Sequence, residues 1–253
     1  MRVPSWRMVP VLVMMAAGLP LCQPPTLGFV EYPTTFKVQL PYDLPLESRF
    51  SDTGGMYSTR IYPNDKPFEK GNTTDPRTEM RWETWKNQAV DNMWEADVMY
   101  EPGTVHSCIM QVKNNTSGEA VYLRVMAGGD LYWLGAGKTV LKAYYGKWFN
   151  LKASFNPSSA TAKVWINDVL VHTQRYNNSR DWYFKNGTYG AEGGVAVAHF
   201  KNIKHRIYSP LTASAGSLAR PESRAIPAWR RAGATLMPWP TGWKAPVDLG
   251  AGS

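Results

Sequence analysis

A chain of 253 residues, 43% hydrophobic and 19% charged, supports a substantial core and is too apolar to stay disordered throughout. Its 11 tryptophans and 13 tyrosines, beside 21 glycines and 19 prolines, favour strands and turns and exclude a helical bundle or coiled coil. The net charge of +8 is spread along the chain, with +2 in residues 1–22 and +3 in residues 210–253, so no concentrated basic face marks a nucleic-acid partner.

Arg2 and Arg7 precede the apolar run Met8 to Leu21, which is short for a membrane span. Basic residues, a short apolar core and then small residues describe a secretory signal peptide over residues 1–22. Its removal would leave a protein without a membrane segment, bound for the extracellular space, the cell wall or, along the same pathway, a vacuole. Cys22 would leave with it, so Cys108 would be unpaired and the fold would stand without disulfides. Asn-x-Ser/Thr sequons begin at Asn72, Asn114, Asn115, Asn177 and Asn186 and suit a secreted glycoprotein.

Residues 23–35 form a Pro-rich lead-in. From there to residue 206 short alternating segments succeed one another: Phe36–Leu40, Met56–Tyr62, Thr78–Trp85, Asp91–Tyr100, Val105–Lys113, Ala120–Ala127, Leu131–Leu134, Trp148–Phe155, Ala162–Ile166, Val169–Gln174, Trp182–Tyr189 and Val195–Arg206. Asn167-Asp168 and Gly128-Gly129-Asp130 read as tight turns. No segment sustains a 3.6-residue period. The pattern predicts an all-β domain over 36–206, a two-sheet antiparallel β-jelly roll or concanavalin-like sandwich, monomeric. Residues 210–253, rich in Ala, Gly, Ser, Pro and Arg, read as a disordered low-complexity tail.

Several motifs fail on inspection. Gly137-Lys138-Thr139 lacks the glycine five positions earlier that a phosphate-binding loop requires, since Tyr132 stands there. His106, His172, His199 and His205 have no metal-ligand spacing, and no Gly-x-Ser-x-Gly elbow occurs. No metal site and no cofactor is predicted.

One constellation remains. Residues two apart on a strand share a face. Arg77, Glu79 and Arg81 therefore point one way and Thr78, Met80 and Trp82 the other. Gln111 and Lys113 oppose Cys108, Met110 and Val112; Tyr122 and Arg124 oppose Val121, Leu123 and Val125; Tyr183, Lys185 and Tyr189 share a third polar face. Gathered on one concave sheet, these residues would hold an anionic, hydroxyl-rich ligand. Four unrelated solvated faces would show the same alternation, because half-buried antiparallel strands normally carry one polar face.

Arg77-Thr-Glu-Met-Arg81, Met110-Gln111-Val112 and Tyr183-Phe-Lys-Asn-Gly-Thr-Tyr189 resemble the three signature strands of the alginate-lyase-type jelly roll. Pro41-Tyr-Asp-Leu-Pro-Leu-Glu-Ser-Arg-Phe50, Asp65-Lys-Pro67, Cys108 to Val112, Leu123-Arg-Val125 and Lys147-Trp-Phe149 resemble its glucuronan-lyase and, more closely, its citrate-binding branches. The resemblance spans about 36–206. It implies a groove for uronate chains or another polycarboxylate such as citrate. In a lyase of this kind Gln111 would hydrogen-bond the substrate carboxylate and Arg77 would supply positive charge during removal of the C5 proton. Tyr189 would transfer the proton, and Arg81, Glu79, Lys113, Arg124, Lys185 and Tyr183 would line the binding groove.

The second motif departs from the lyase pattern. Many relatives read Gln-Ile-His there, whereas this chain has Lys113, and the loop from Phe68 to Asp75 also lacks histidine. The side chain best suited to proton transfer near neutral pH is therefore missing. The reading favoured from sequence is a secreted carboxylate-binding protein for a polycarboxylate or acidic polysaccharide. The alternative is a polyuronate lyase acting by β-elimination through Tyr189 and Gln111.

Overall fold

The computed structural model describes residues 24–210 except 117 and 178. The signal segment and the tail from 211 onward, both read from the sequence, lie outside the described residues. Fifteen strands are described: β1 (Phe29–Glu31), β2 (Phe36–Gln39), β3 (Phe50–Thr53), β4 (Met56–Ile61), β5 (Arg77–Trp82), β6 (Asn92–Tyr100), β7 (Ser107–Lys113), β8 (Glu119–Val125), β9 (Leu131–Trp133), β10 (Lys138–Leu141), β11 (Phe149–Asn156), β12 (Thr161–Ile166), β13 (Val169–Arg175), β14 (Tyr183–Tyr189) and β15 (Ala196–Tyr208). Among the described residues the complete helical elements are three 3-10 turns of three residues each.

Two antiparallel sheets face each other. One runs β13-β12-β11-β6-β15-β4-β3, with β1 also paired to β15. The other runs β10-β9-β8-β7-β14-β5-β2. Neighbours such as β5 and β14 are more than a hundred residues apart in sequence, as the crossing connections of a jelly roll require. The all-β, two-sheet expectation stands, and each of the twelve alternating segments contains or overlaps a strand.

Three strands carry no alternation long enough to read: β1, β3 and β10, each of three or four residues. The Pro-rich lead-in thus supplies a strand of its own. At the hairpin between β12 and β13, Asn167 and Asp168 take φ of 48° and 66°, the left-handed pair that a two-residue turn demands.

The core lies between the sheets. Met80, Val112, Leu123 and Phe184 of the second sheet meet Trp94, Val98, Leu151, Phe155 and Phe200 of the first, all essentially solvent-free. Burying one such aromatic side chain stabilises by roughly 2–3 kcal/mol, and Trp94, Trp133, Trp182, Tyr100, Phe155, Phe184 and Phe200 are all fully buried. This aromatic core does the work that disulfides do in smaller secreted domains. Cys108 is the free cysteine among the described residues and is buried.

Candidate functional site

Strand register assembles the site. Tyr189 pairs with Arg77 on one side and Cys108 on the other, and Cys108 pairs with Arg124. One row across four strands is therefore Arg77, Tyr189, Cys108 and Arg124. A second row is Arg81, Lys185, Gln111 and Tyr122. A register shift between Cys108 and Met110 inserts Ile109 as an extra residue. This bulge corrects the expectation for Cys108: it does not share the core face of Met110 and Val112 but lies on the polar face, opposite Arg124. Burial is the main cause that raises its thiol pKa well above the ordinary value, with Glu79 adding to it.

Gly187 is what lets the centre of this face close. Its φ is +153°, and a Cβ there would stand 2.2 Å from the Thr78 carbonyl oxygen and 2.6 Å from Glu79 Cα. Backbone contact this tight admits only glycine. It brings Glu79 under Lys185 and Gln111. Gln111 Nε2 donates to Glu79 Oε1 at 2.5 Å and Lys185 Nζ donates to Glu79 Oε2. Glu79, Gln111 and Lys185 are each 1–2% exposed. Burial pulls the Lys185 ammonium below its ordinary pKa despite the carboxylate beside it.

Arg77 stands beside this triad. One guanidinium nitrogen, Nη1, is 3.7 Å from Glu79 Oε2, and Nη2 donates to Thr74 Oγ1 at 3.1 Å. The guanidinium lies 4.3 Å from the centre of the Tyr189 ring, a cation–π contact that fixes its plane. Its Nε is buried and has no hydrogen-bond partner among the described residues. A cavity of about 300 Å³ opens here, walled by Arg77, Gln111, Lys113, Tyr189 and the loop Phe68, Glu69, Asn72 and Thr74. Gln39 and Glu119 complete it, and no histidine is among the lining residues. Burial raises the Tyr189 phenol above its ordinary pKa, outweighing the opposing pull of Arg77 and Lys113.

The structure thus brings Arg77, Gln111, Lys113 and Tyr189 to one cavity wall and places Glu79 and Lys185 beneath it. Glu79 and Lys185 are spent on each other, so neither presents a free charge to the cavity. Lys113 is paired too, at 2.5 Å to Glu119 Oε1. Arg81 lies 4.0 Å over the Tyr183 ring and outside the cavity lining. Arg124 also lies outside it and donates to Glu192 Oε1 at 2.6 Å; His106 meets the other oxygen of Glu192 at 2.7 Å. Tyr122, beside Gln111, has its phenol pKa raised by burial. Sequence periodicity missed the loop Phe68–Thr74, Gln39, Glu119 and the His106–Glu192 contact. The Asn72-Thr-Thr sequon and the comparison of the loop Phe68 to Asp75 with its relatives touched this region, but neither marked its residues as cavity walls.

A larger cavity, about 880 Å³, opens at the sandwich edge among Tyr32, Phe36, Tyr57, Trp82 and His205. It holds none of the residues expected to bind the ligand, and its charged members Glu31 and Lys204 pair with each other at 3.2 Å. The smaller cavity, where Arg77, Gln111, Lys113 and Tyr189 converge, is the candidate site. Among the described residues no cluster of three His, Cys, Asp or Glu side chains is placed to hold a metal ion, and no helix is long and apolar enough to cross a membrane.

No protein-family model matches the chain. Among solved structures it superposes on an alginate lyase of Polysaccharide Lyase family 7 with TM-score 0.55 and 19% identity, covering 68% of this chain and 94% of that one. An alginate lyase from Corynebacterium sp. gives TM-score 0.54 at 17% identity over 68% and 94%, and one from Pseudomonas aeruginosa 0.52 at 18% over 68% and 97%. These likenesses establish the fold. In sequence, the citrate-binding protein of Hevea brasiliensis is 33% identical over 187 residues, which cover 71% of this chain and 78% of that protein. By that identity, and on the alginate-lyase type of jelly roll, the chain belongs to the citrate-binding protein family.

Proposed function

We propose that this chain is a binding protein for a carboxylate ligand, a small polycarboxylate or a carboxylate group of an acidic polysaccharide, seated in the cavity beside Arg77. The observation that carries the reading is Arg77 itself. Its guanidinium is held by the Tyr189 ring and Thr74, it flanks a cavity of about 300 Å³, and its Nη1 stands 3.7 Å from Glu79 Oε2, beyond hydrogen-bond distance. A pre-oriented guanidinium with an unused donor is suited to meeting a carboxylate, because little side-chain freedom remains to be lost. Gln111 carries a second amide hydrogen beyond the one given to Glu79, and Tyr189 offers a hydroxyl. The citrate-binding relative supports the same class of ligand.

The second reading, β-elimination on a uronate polymer, draws on Tyr189 and Gln111 lining one cavity as they would in a lyase. The chemistry of the cavity disfavours it. Removing a C5 proton near neutral pH needs a base, and Tyr189 stays protonated there because burial raises its pKa. Lys185, which would favour the phenolate, is committed to Glu79.

Calorimetric titration of the purified protein with citrate and with tricarballylate tests the proposal. Saturable binding is expected, weakened roughly tenfold or more in Arg77→Ala with the melting temperature nearly unchanged. Absence of binding by the unmutated protein overturns it. So does rising absorbance of unsaturated product on incubation with glucuronan, alginate or pectate.

A further inference from the structure

The loop that closes the cavity carries a sequon. Asn72-Thr73-Thr74 lies wholly on the surface, and both Asn72 and Thr74 line the cavity. Gly71, at φ +84°, turns the chain just before it, and the Asn72 N–H donates to the Glu69 carbonyl at 3.1 Å. Asn72 Oδ1 accepts from the Thr74 N–H at 2.9 Å. The amide oxygen is thereby occupied, and Nδ2 has no acceptor among the described residues. Thr74 in turn accepts from Arg77, so the sequon and the guanidinium are one hydrogen bond apart.

The other sequons differ. Asn186 is fully buried and accepts from Trp82 Nε1, and Asn114 is 1% exposed. Asn115 and Asn177 are exposed but do not line the cavity. Only at Asn72 would a sugar stand at the mouth of the candidate site.

We propose that Asn72 carries an N-linked glycan and that this glycan is a size filter on the cavity, admitting a small polycarboxylate and excluding a polyuronate chain. The inference rests on the carboxylate reading above and on the secretory route that the N-terminal sequence predicts. The modification joins Asn72 Nδ2 to the anomeric carbon of a polyprenyl-diphosphate-linked oligosaccharide. The bond from that carbon to the diphosphate oxygen breaks, the diphosphate leaves, and the amide proton passes to a base of the transferring enzyme. The product is a neutral, hydrated branch anchored on the cavity rim. A molecule small enough to sit inside a cavity of about 300 Å³ passes beneath it. A polymer must cross the rim at both ends of its bound residue, and the branch obstructs one of them. Discrimination by obstruction needs no loss of contacts to the favoured ligand.

The experiment uses the full chain secreted from a eukaryotic host. Glycopeptide mass spectrometry before and after enzymatic deglycosylation reads occupancy at Asn72. Calorimetry with citrate and with a glucuronate tetramer then compares the glycosylated protein with the same protein trimmed by an endoglycosidase to a single sugar on an intact Asn72. Expected are high occupancy, citrate affinity alike in the two forms, and tetramer affinity roughly tenfold or more higher in the trimmed form. An empty Asn72 overturns the inference whatever the protein binds. An occupied Asn72 with equal tetramer affinity in both forms overturns the filter. If no form binds either carboxylate, the binding reading falls and the filter falls with it, while the occupancy measurement still stands.

Discussion

Two buried ion clusters invite comparison, one on each sheet. On the second sheet Glu79 accepts from Gln111 and Lys185 with Arg77 at 3.7 Å. On the first sheet Glu95 meets Arg206 and Lys152, the latter at 3.2 Å. Both arise from the same alternation of polar and apolar residues. They differ in closure. Lys152 also reaches Asp168 at 2.5 Å, and Arg206 also reaches Glu31 at 2.9 Å, so each cation of the first cluster has two carboxylates. In the second, among the described residues, Lys185 has Glu79 alone among its ion pairs, and Arg77 reaches Glu79 only at 3.7 Å while lining a cavity. A closed network points to structure; an open one beside a cavity points to a ligand.

The largest effect should therefore come from the less redundant carboxylate. Glu79→Ala leaves the buried Lys185 ammonium and the Gln111 amide without their acceptor and should cost about 3–5 kcal/mol in denaturant unfolding. Glu95→Ala leaves each cation a second partner and should cost about 1 kcal/mol. Equal losses would break the comparison, because redundancy of partners would then have no energetic meaning.

A second test sits on β15, where neighbouring residues point to opposite faces. Arg206 belongs to the closed cluster; His205 faces Trp82, Phe184 and Tyr32, and neither of its ring nitrogens has a partner among the described residues. Burial lowers its pKa from 6.5 to about 3. Between these values the unfolded chain binds a proton that the folded chain refuses. The stabilisation is thus fully present above pH 6.5 and is lost as pH falls toward 3. At about 1.4 kcal/mol per unit, acidification from pH 6.5 to 4.5 should cost roughly 2–3 kcal/mol through this residue. Asp91, pushed up to about 6 by burial, works in the opposite sense, since its contribution is present at acid pH and lost as pH rises through 6. Comparing urea midpoints at pH 7 and 4.5 with those of His205→Phe isolates the histidine. Parallel pH profiles for the two proteins would sink the idea.

How far the sequence reveals these arrangements depends on periodicity. Period-two alternation shows which residues of β5, β7, β8 and β14 share a face, and Arg77, Gln111, Lys113 and Tyr189 do converge on one wall. It misplaces Cys108, because a bulge adds one residue to β7 and reverses the phase beyond it. It also marks Glu79 as polar without revealing that it is buried, which follows from the close approach of Gly187 across the sheet. The strands β1, β3 and β10 are too short to display a period. Phe68–Thr74 and the His106–Glu192 contact come from loops, where neighbours are set by tertiary packing rather than spacing.

The smallest expected effect is also the one that separates the two readings of the site. Tyr189→Phe removes one hydroxyl and leaves the ring on which the Arg77 guanidinium rests, 4.3 Å from its centre. The guanidinium should keep its orientation, and the cavity should gain little volume. If the cavity binds a carboxylate, the variant loses at most one hydrogen bond, worth on the order of 1 kcal/mol, or a several-fold rise in Kd for citrate. If the cavity is a lyase centre, the same change removes the proton-transfer group and abolishes turnover of polyuronate while the polymer still binds. Calorimetry and the unsaturated-product assay on one preparation distinguish these outcomes. The raised pKa of Tyr189 makes the first the expected one, since a phenol that stays protonated at neutral pH donates a hydrogen bond and takes no proton.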